Sequence, residues 1–326
     1  LQNLKNSEMK ILHITNNYPT KDHSIFGIFV KEQIDSLTNA GVENHVFFIN
    51  GRELGKKAYL KGVVGLRKVI KNGDFDIMHC HHVLSALILL LTFSCFKNKK
   101  IVSYQNDPDR EGGVWLYKLV SFFFDGVILK NNKSEFISEK THYLPNGVNM
   151  SFFKPFNQME SKKTLNLNIN TRYILFMDSY KRRAQKRIDR FNEVIRILRG
   201  DLQQYNIEPL ILTNTSRNQI PLYLSAASLH IISSDFEGSP NSVKECLACN
   251  TKVVSTPVGN IEDLIGDVPS CYISKTFEPK ELASLALKAL NAQDFDGRSC
   301  IFYKQLDTKN VAKKLIRIYK ELIINE

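Results

Sequence analysis

Short apolar, β-branched runs alternate along this chain with stretches whose apolar residues recur every three to four positions. Runs of that kind fit strands buried on both faces, and the stretches between them fit amphipathic helices. The alternation predicts parallel βαβ units. In the first half, strands are expected at Lys10–Ile14, His45–Ile49, Ile77–His79, Lys100–Tyr104, Gly126–Leu129 and His142–Leu144. Helices are expected between them at Gly27–Ala40, Ala58–Lys71, Val83–Phe93 and Trp115–Phe124. The pattern then restarts, with strands at Tyr173–Met177, Pro209–Thr213, Leu229–Ile232, Lys252–Ser255 and Cys271–Ile273. Helices fit Arg187–Arg199, Pro240–Ala248 and Pro279–Ala292.

Two such series imply an α/β protein of two facing Rossmann-like domains, with ligands at the carboxyl ends of the strands in the cleft. Pro145-Asn146-Gly147 and the polar stretch Asn157–Asn170 are read as the linker. The expected domains are 9–155, 156–307 and a last amphipathic helix, 308–326, packing back on the first. Val311, Leu315, Ile318 and Leu322 form the apolar stripe of that helix.

Composition adds limits. The chain has 326 residues, 43% hydrophobic and 24% charged, which suits two ordinary soluble domains. Its formal charge of +11 favours polyanionic partners: nucleic acid, an anionic membrane surface or a phosphate-rich ligand. The six cysteines are scattered in apolar contexts and read as reduced thiols of a cytoplasmic protein. Leu1–Glu8 is polar and precedes Met9, which fits an appended or upstream segment, and no secretory leader is expected. The strongly apolar run Leu84–Phe93 is about half of the roughly 20 residues a spanning helix needs.

Chemistry concentrates after the strand Leu229–Ile232, in Asp235-Phe236-Glu237-Gly238-Ser239-Pro240-Asn241-Ser242-Val243-Lys244-Glu245. Gly238 permits close backbone approach, Ser239 suits a helix N-cap, and Pro240 suits the first helical position. A helix starting there would aim free N–H groups at phosphate or sugar oxygens. Glu237 and Glu245 would accept hydrogen bonds from the hydroxyls of one elongated ligand, or they are solvated glutamates of an ordinary capped helix.

The Glu237-x7-Glu245 spacing resembles the E-x7-E element of retaining GT-B glycosyltransferases of the family 4 type. The flanking Leu224–Leu229 and Lys244–Gly259 are similar to that family too, as is Leu144-Pro145-Asn146-Gly147-Val148-Asn149 with Phe153 and Pro155. The resemblance spans nearly the whole chain and is strongest from Leu224 to Glu262. It implies sugar transfer with retention from a nucleotide diphosphate sugar, a UDP- or GDP-sugar, with no metal or other cofactor. The implied acceptor is a glycan or lipid-linked glycan of bacterial surface-polysaccharide synthesis. Glu245 would hold the ribose and Glu237 the transferred sugar. Backbone N–H groups of Gly238, Ser239 and Asn241 would face the donor, beside Pro240 and Ser242.

The basic run Lys181, Arg182, Arg183, Lys186, Arg187 and Arg190 follows the first strand of the second half. Fixed cations at that strand end would stabilise a leaving diphosphate. The resemblance points to Lys186 with either Arg182 or Arg183 as the catalytic cations. Gly27, in Ile25-Phe26-Gly27-Ile28-Phe29, would approach the donor phosphate or the acceptor.

On the acceptor side stand Gln105, Asn106 and Asp107, with Glu111 nearby. Many relatives carry His where this chain has Gln105, and an amide cannot act as a general base. His81, in His79-Cys80-His81-His82, would line the cleft. That run lacks the partner spacing of a zinc site. Of the short Asp-x-Asp pairs at Asp74, Asp107 and Asp294, only Asp107-x-Asp109 follows a strand. Cys246-x-x-Cys249 reads as core.

In Lys56–Lys71, Tyr59, Val63, Leu66 and Ile70 share one helix face opposite Lys57, Lys61, Lys68 and Lys71. Two readings fit: a helix lying on an anionic membrane, or a surface helix with its apolar face in the core. Rival functions are a GT-B-fold nucleotide-sugar epimerase, which needs no acceptor, and a non-catalytic nucleic-acid-binding protein. Against the latter, the run Lys181–Arg190 holds no aromatic platform.

Overall fold

A computed structural model describes residues 9–93, 98–132, 134–178, 183–201, 206–293 and 295–324. The chain divides into two compact units, 1–147 with 308–326, and 148–307.

The first unit is built on a six-stranded parallel sheet of order β2-β1-β3-β4-β5-β6. Its strands are β1 (Lys10–Thr15), β2 (Glu43–Phe48), β3 (Ile77–Cys80), β4 (Lys99–Ser103), β5 (Gly126–Leu129) and β6 (Thr141–Tyr143). Residues alternate between two cores. Leu12, Ile14, Met78, Val102 and Val127 pack against helices Lys57–Asn72, Val83–Leu91 and Val114–Phe123. Ile11, Ile77, Ile101 and Ile128 pack against helices Ile28–Asn39 and Thr308–Ile324.

The second unit carries a five-stranded parallel sheet of order β11-β10-β9-β7-β8. These are β7 (Arg172–Met177), β8 (Ile207–Leu212), β9 (Leu229–Ile232), β10 (Val253–Ser255) and β11 (Tyr272–Ile273). Ile174, Phe176 and Ile231 face helices Ile188–Asp201 and Pro279–Asn291. Tyr173, Leu175, Ile232 and Val253 face helices Ile220–Ala226, Asn241–Ala248 and Ile261–Ile265.

Two expectations change, and one of two open readings is chosen. The first crossing between units lies at Gly147/Val148, not at Pro155. Val148, Met150 and Phe153 are buried in the second core, and Arg298 donates to the carbonyls of Met150 and Phe153 at 2.7 and 2.6 Å. Asn157–Asn170 is not a linker. Asn157 Oδ1 caps a helix at Gln158–Thr164 by accepting from Glu160 N, 3.1 Å. In helix Lys57–Asn72, Leu66 and Ile70 are buried in the core, with Tyr59 and Val63 packed against it, so that apolar face is spent on the sheet and not on a membrane.

The expected metal-free run at β3 acquires a third histidine from β1. His13, His79 and His81 are all buried, with a nitrogen of each within 4.8 Å of the others. Their nitrogens serve hydrogen bonds. His13 Nδ1 lies 2.9 Å from His81 Nε2, and His13 Nε2 lies 2.8 Å from Asn44 Oδ1. His79 uses both nitrogens, on Tyr319 Oη at 2.6 Å and Ser103 Oγ at 2.7 Å. The 2.9 Å separation fits a hydrogen bond between the His13 and His81 rings, and the three rings also lie close enough together to ligate one ion.

Two predictions follow from this packing. Leu315, near the end of the chain, is fully buried against the sheet, so Leu315→Ala should destabilise the first unit by about 2–5 kcal/mol in urea unfolding. Burial holds His13 and His82 down to about 4, against the ordinary 6.5, and holds His79 and His81 well below it. Depressed folded values mean the unfolded chain binds more protons on acidification. The stability these histidines contribute is therefore full above 6.5 and lost as pH falls toward 4. Thermal midpoints measured across that window should drop, and a flat profile would contradict the assignment.

Candidate functional site

Strands β7, β9 and β10 are parallel neighbours, so the loops after them emerge side by side at one sheet edge. After β7 come Asp178 and, from Arg183, a 3-10 turn at Ala184–Lys186 leading to Arg187, which adopts a left-handed φ of 50°. Arg182 and Lys181 lie outside the described residues. The second loop, Ser233–Pro240, carries Glu237 and leads into helix Asn241–Ala248. The third is Thr256-Pro257-Val258-Gly259-Asn260.

Hydrogen bonds to backbone carbonyls stitch the three loops together. Asp235 N donates to Gln185 O at 2.8 Å, and Ser233 Oγ donates to Lys186 O at 2.9 Å. Thr256 Oγ1 donates to Ser234 O at 2.7 Å, and Asn260 N to Gly238 O at 3.0 Å. Gly259, with φ of +52°, sits so close that an added Cβ would lie 2.2 Å from Gly238 O. Only glycine fits there. The close approach expected at Gly238 thus occurs between Gly238 and Gly259.

This framework sorts the basic run. Arg183 donates from N and Nε to the buried Asp178 at 2.8 and 3.0 Å. Arg187 and Arg190 both reach Asp235, at 3.1 and 2.8 Å. Lys186 alone of the described cations in the run turns to Glu237, with Nζ 2.5 Å from Oε1. Ser234 Oγ donates to the same carboxylate oxygen at 2.7 Å. Burial pushes the Glu237 carboxyl up, but the charge and hydrogen bond of Lys186 outweigh it and leave Glu237 below the ordinary carboxylate value. The product is an ionised, largely buried carboxylate beside Lys186.

Glu245 lies on helix Asn241–Ala248, its Oε1 3.9 Å from Arg217 Nη1, with each side chain about one-sixth exposed (16% and 15%). Arg217 enters from the loop after β8 and stacks over Phe152 and Phe153, 5.1 and 5.2 Å from the ring centroids. Sequence reading missed Arg217, whose polar loop Asn214-Thr215-Ser216 carries no motif. It also missed His230, inside β9. His230 Nδ1 lies 3.0 Å from Leu175 O, and its Nε2 lies 3.3 Å from Ser242 Oγ. Burial lowers this imidazole to about 4, so it is neutral near pH 7.

The expected cap is corrected. Pro240, not Ser239, occupies the N-cap position, without a side-chain cap. Ser239 Oγ instead accepts from the fully buried Lys244 Nζ at 3.0 Å. Asn241 Oδ1 is buried with no hydrogen-bond partner among the described residues. Cys246 and Cys249 are buried, and burial pushes both thiols up, away from reactivity.

In the first unit, Glu111 organises the loop after β4. Its Oε1 accepts from Gln105 N and Asn106 N, each at 2.7 Å, and Asn146 Nδ2 donates to Gln105 Oε1 at 3.1 Å. Burial raises Glu111 to about 7 against those N–H groups. Burial also lowers Lys130 to about 7, partly offset by the charge of Glu111. Asp107 is half-buried, and burial raises it despite hydrogen bonds to Ser134 and Asn131. Asp109 pairs with Arg110 at 3.5 Å. Of the remaining acidic pairs, Asp76 accepts from Lys10 N and Asp296 caps a helix, and Asp294 lies outside the described residues.

His81 does not join this loop, because strand alternation turns it inward to His13. His82 does, with Nε2 3.6 Å from Glu111 Oε2 and Nδ1 capping Leu84 N. Gly27, with φ of +65°, packs against the Asn17 carbonyl, where an added Cβ would lie 2.2 Å away.

Residues 196–292 match the family model described as glycosyl transferases group 1, a stretch that contains Glu237, Glu245 and Gly259. No curated protein matches the chain. Among solved structures, a sucrose-phosphate synthase from Thermosynechococcus elongatus aligns at a TM-score of 0.76 and 15% identity, over 98% of this chain and 100% of that one. A glycosyltransferase from Rickettsia africae aligns at 0.69 and 17%, over 98% and 99%. Anabaena HepE in complex with UDP aligns at 0.66 and 13%, over 96% and 100%. Likeness across essentially the full length of each, with two parallel-sheet units in one polypeptide, identifies the fold as GT-B.

Proposed function

We propose that the protein is a metal-independent, retaining glycosyltransferase that uses a nucleoside diphosphate sugar, with a glycan or lipid-linked glycan as acceptor in surface-polysaccharide synthesis. The observation that carries this reading is the Lys186–Glu237 pair at the sheet edge, on the same unit as Glu245. A diphosphate is the ligand that would draw Lys186 from a carboxylate, since phosphate oxygens offer an ammonium a second anionic partner. Glu237 would then be left to accept hydroxyls of the sugar, and Glu245, positioned by Arg217, those of the ribose. Arg183 would add a second cation, because its side chain is about two-fifths exposed (41%) while bound to Asp178.

In the reaction, the bond from the anomeric carbon to the β-phosphate oxygen breaks, and its electron pair stays on phosphate beside Lys186. The acceptor oxygen attacks from the same face, and its proton passes to the departing phosphate oxygen. No protein base is needed, which suits an acceptor loop that has Gln105 in place of a histidine. The group 1 glycosyl transferase model matches residues 196–292 of the second unit, and the HepE structures hold UDP and UDP-glucose, so uracil is the first base to test.

Thermal stabilisation by UDP, GDP, ADP and CDP, each with EDTA and with magnesium, tests the donor half. A saturating nucleotide at about 100 times its Kd should stabilise by about 2.7 kcal/mol, with or without metal. Lys186→Ala strands a buried carboxylate and lowers the midpoint by itself. The readout is therefore the ligand-induced shift, which should vanish in Lys186→Ala and fall in Glu245→Ala. Nucleotide release that requires no acceptor would favour an epimerase. No shift with any nucleotide, beside salt-sensitive RNA or DNA binding, would sink the proposal.

A further inference from the structure

The outer surface of three adjacent helices in the first unit mixes exposed apolar side chains with cations, and the helices hold no acid. Helices Lys57–Asn72, Val83–Leu91 and Val114–Phe123 pack side by side over one sheet face. The inward side of each is spent in the core. The outward side has its own helical spacing. Leu60 and Val64 stand out from the first helix, 75% and 60% exposed. Leu84 and Leu91 flank the half-buried Leu87 on the second. Trp115 and Phe122 flank Lys118 on the third, 75% and 77% exposed.

Other long helices do not look like this. Ile28–Asn39 exposes Asp35, Thr38 and Asn39, and Thr308–Ile324 exposes Lys313, Lys314 and Arg317 along its middle. Contiguous exposed apolar surface marks an interaction site in a soluble fold.

Charge selects the partner. None of the three helices contains an Asp or Glu. The first exposes Lys57, Lys61, Arg67, Lys68 and Lys71, interleaved with Leu60 and Val64. Cations among aliphatic and aromatic side chains, with indole at the rim, match the headgroup region of an anionic bilayer. Lysine stems lie along apolar surface there while their ammonium groups reach phosphate. We infer that this three-helix face docks the protein on an anionic lipid bilayer, inserting Trp115, Phe122, Leu91 and Leu60 at headgroup depth.

This differs from the membrane contact expected from Tyr59, Val63, Leu66 and Ile70, which face the core. It also has a consequence that rests on the proposed function. Leu84 follows His82 by two residues and Trp115 follows Glu111 by four, so the apolar ends of two helices adjoin the loops assigned to the acceptor. A lipid-linked acceptor would reach those loops without leaving the bilayer.

Trp115 is the chain's single tryptophan, so its fluorescence reports this face alone. The full chain, without nucleotide, is mixed with vesicles of phosphatidylcholine, or of phosphatidylcholine with phosphatidylglycerol, in about 0.1 M salt. The inference expects co-sedimentation with the anionic vesicles, a blue shift of Trp115 emission, and quenching by brominated acyl chains. Each of Lys57→Gln, Lys61→Gln and Lys68→Gln should weaken partition about fivefold. Phe122→Ser should reduce it while leaving the melting midpoint unchanged, since the side chain is exposed. An unshifted Trp115 with anionic vesicles would overturn the inference, whatever the nucleotide experiments show. A blue shift that needs no lipid but rises with protein concentration, with a doubled mass in sedimentation equilibrium, would assign the face to a second copy instead.

Discussion

Parallel pairing governs what this chain can build. A parallel strand cannot be followed by a tight hairpin, so the chain leaves each strand at one edge and returns through a helix to the other. In the second unit this sends the segments after β7, β9 and β10 to the same edge, although they begin at Asp178, Ser233 and Thr256. Neighbouring loops can then satisfy one another's backbone groups, as Asp235 and Gln185 do, and Asn260 and Gly238. Lys186 and Glu237, 51 residues apart, meet because their loops were already joined on either side.

The acids in these loops divide the cations between two kinds of work. Asp178 and Asp235 hold Arg183, Arg187 and Arg190, which fixes the loops in place. A buried pair such as Lys186–Glu237 contributes little net stability once desolvation is counted, yet losing one partner is costly. A group of that kind is better suited to exchanging partners than to bracing the fold. In the first unit, Glu111 has the bracing part, tying two successive backbone N–H groups of the acceptor-side loop to one oxygen.

Most strands were legible because a strand buried on both faces is mainly apolar, as Tyr173–Met177 is. Errors gathered where polar residues conceal structure. Asn157–Asn170 resembles a linker by composition, but an Asn cap and Leu167, packed on the core, suffice for a turn of helix. The Glu237–Glu245 spacing was readable because both lie on one loop and one helix. The partners chosen by each were not, since Ser239 goes to Lys244 and Arg217 comes from a different strand end. His13 joining His79 and His81 depended on which strands are neighbours, and spacing along one strand cannot report that. The outward stripe Trp115–Lys118–Phe122 was hidden within a helix rich in apolar residues on every side.

The second unit is an insertion: Val148 N bonds to Leu306 O, so the chain leaves and re-enters it at adjacent points. During synthesis the ribosome therefore completes the inserted unit while the first still lacks helix Thr308–Ile324. Until that helix emerges, Ile11, Ile77, Ile101 and Ile128 are covered on that face by helix Ile28–Asn39 alone, and the nascent first unit is the part with most need of a chaperone.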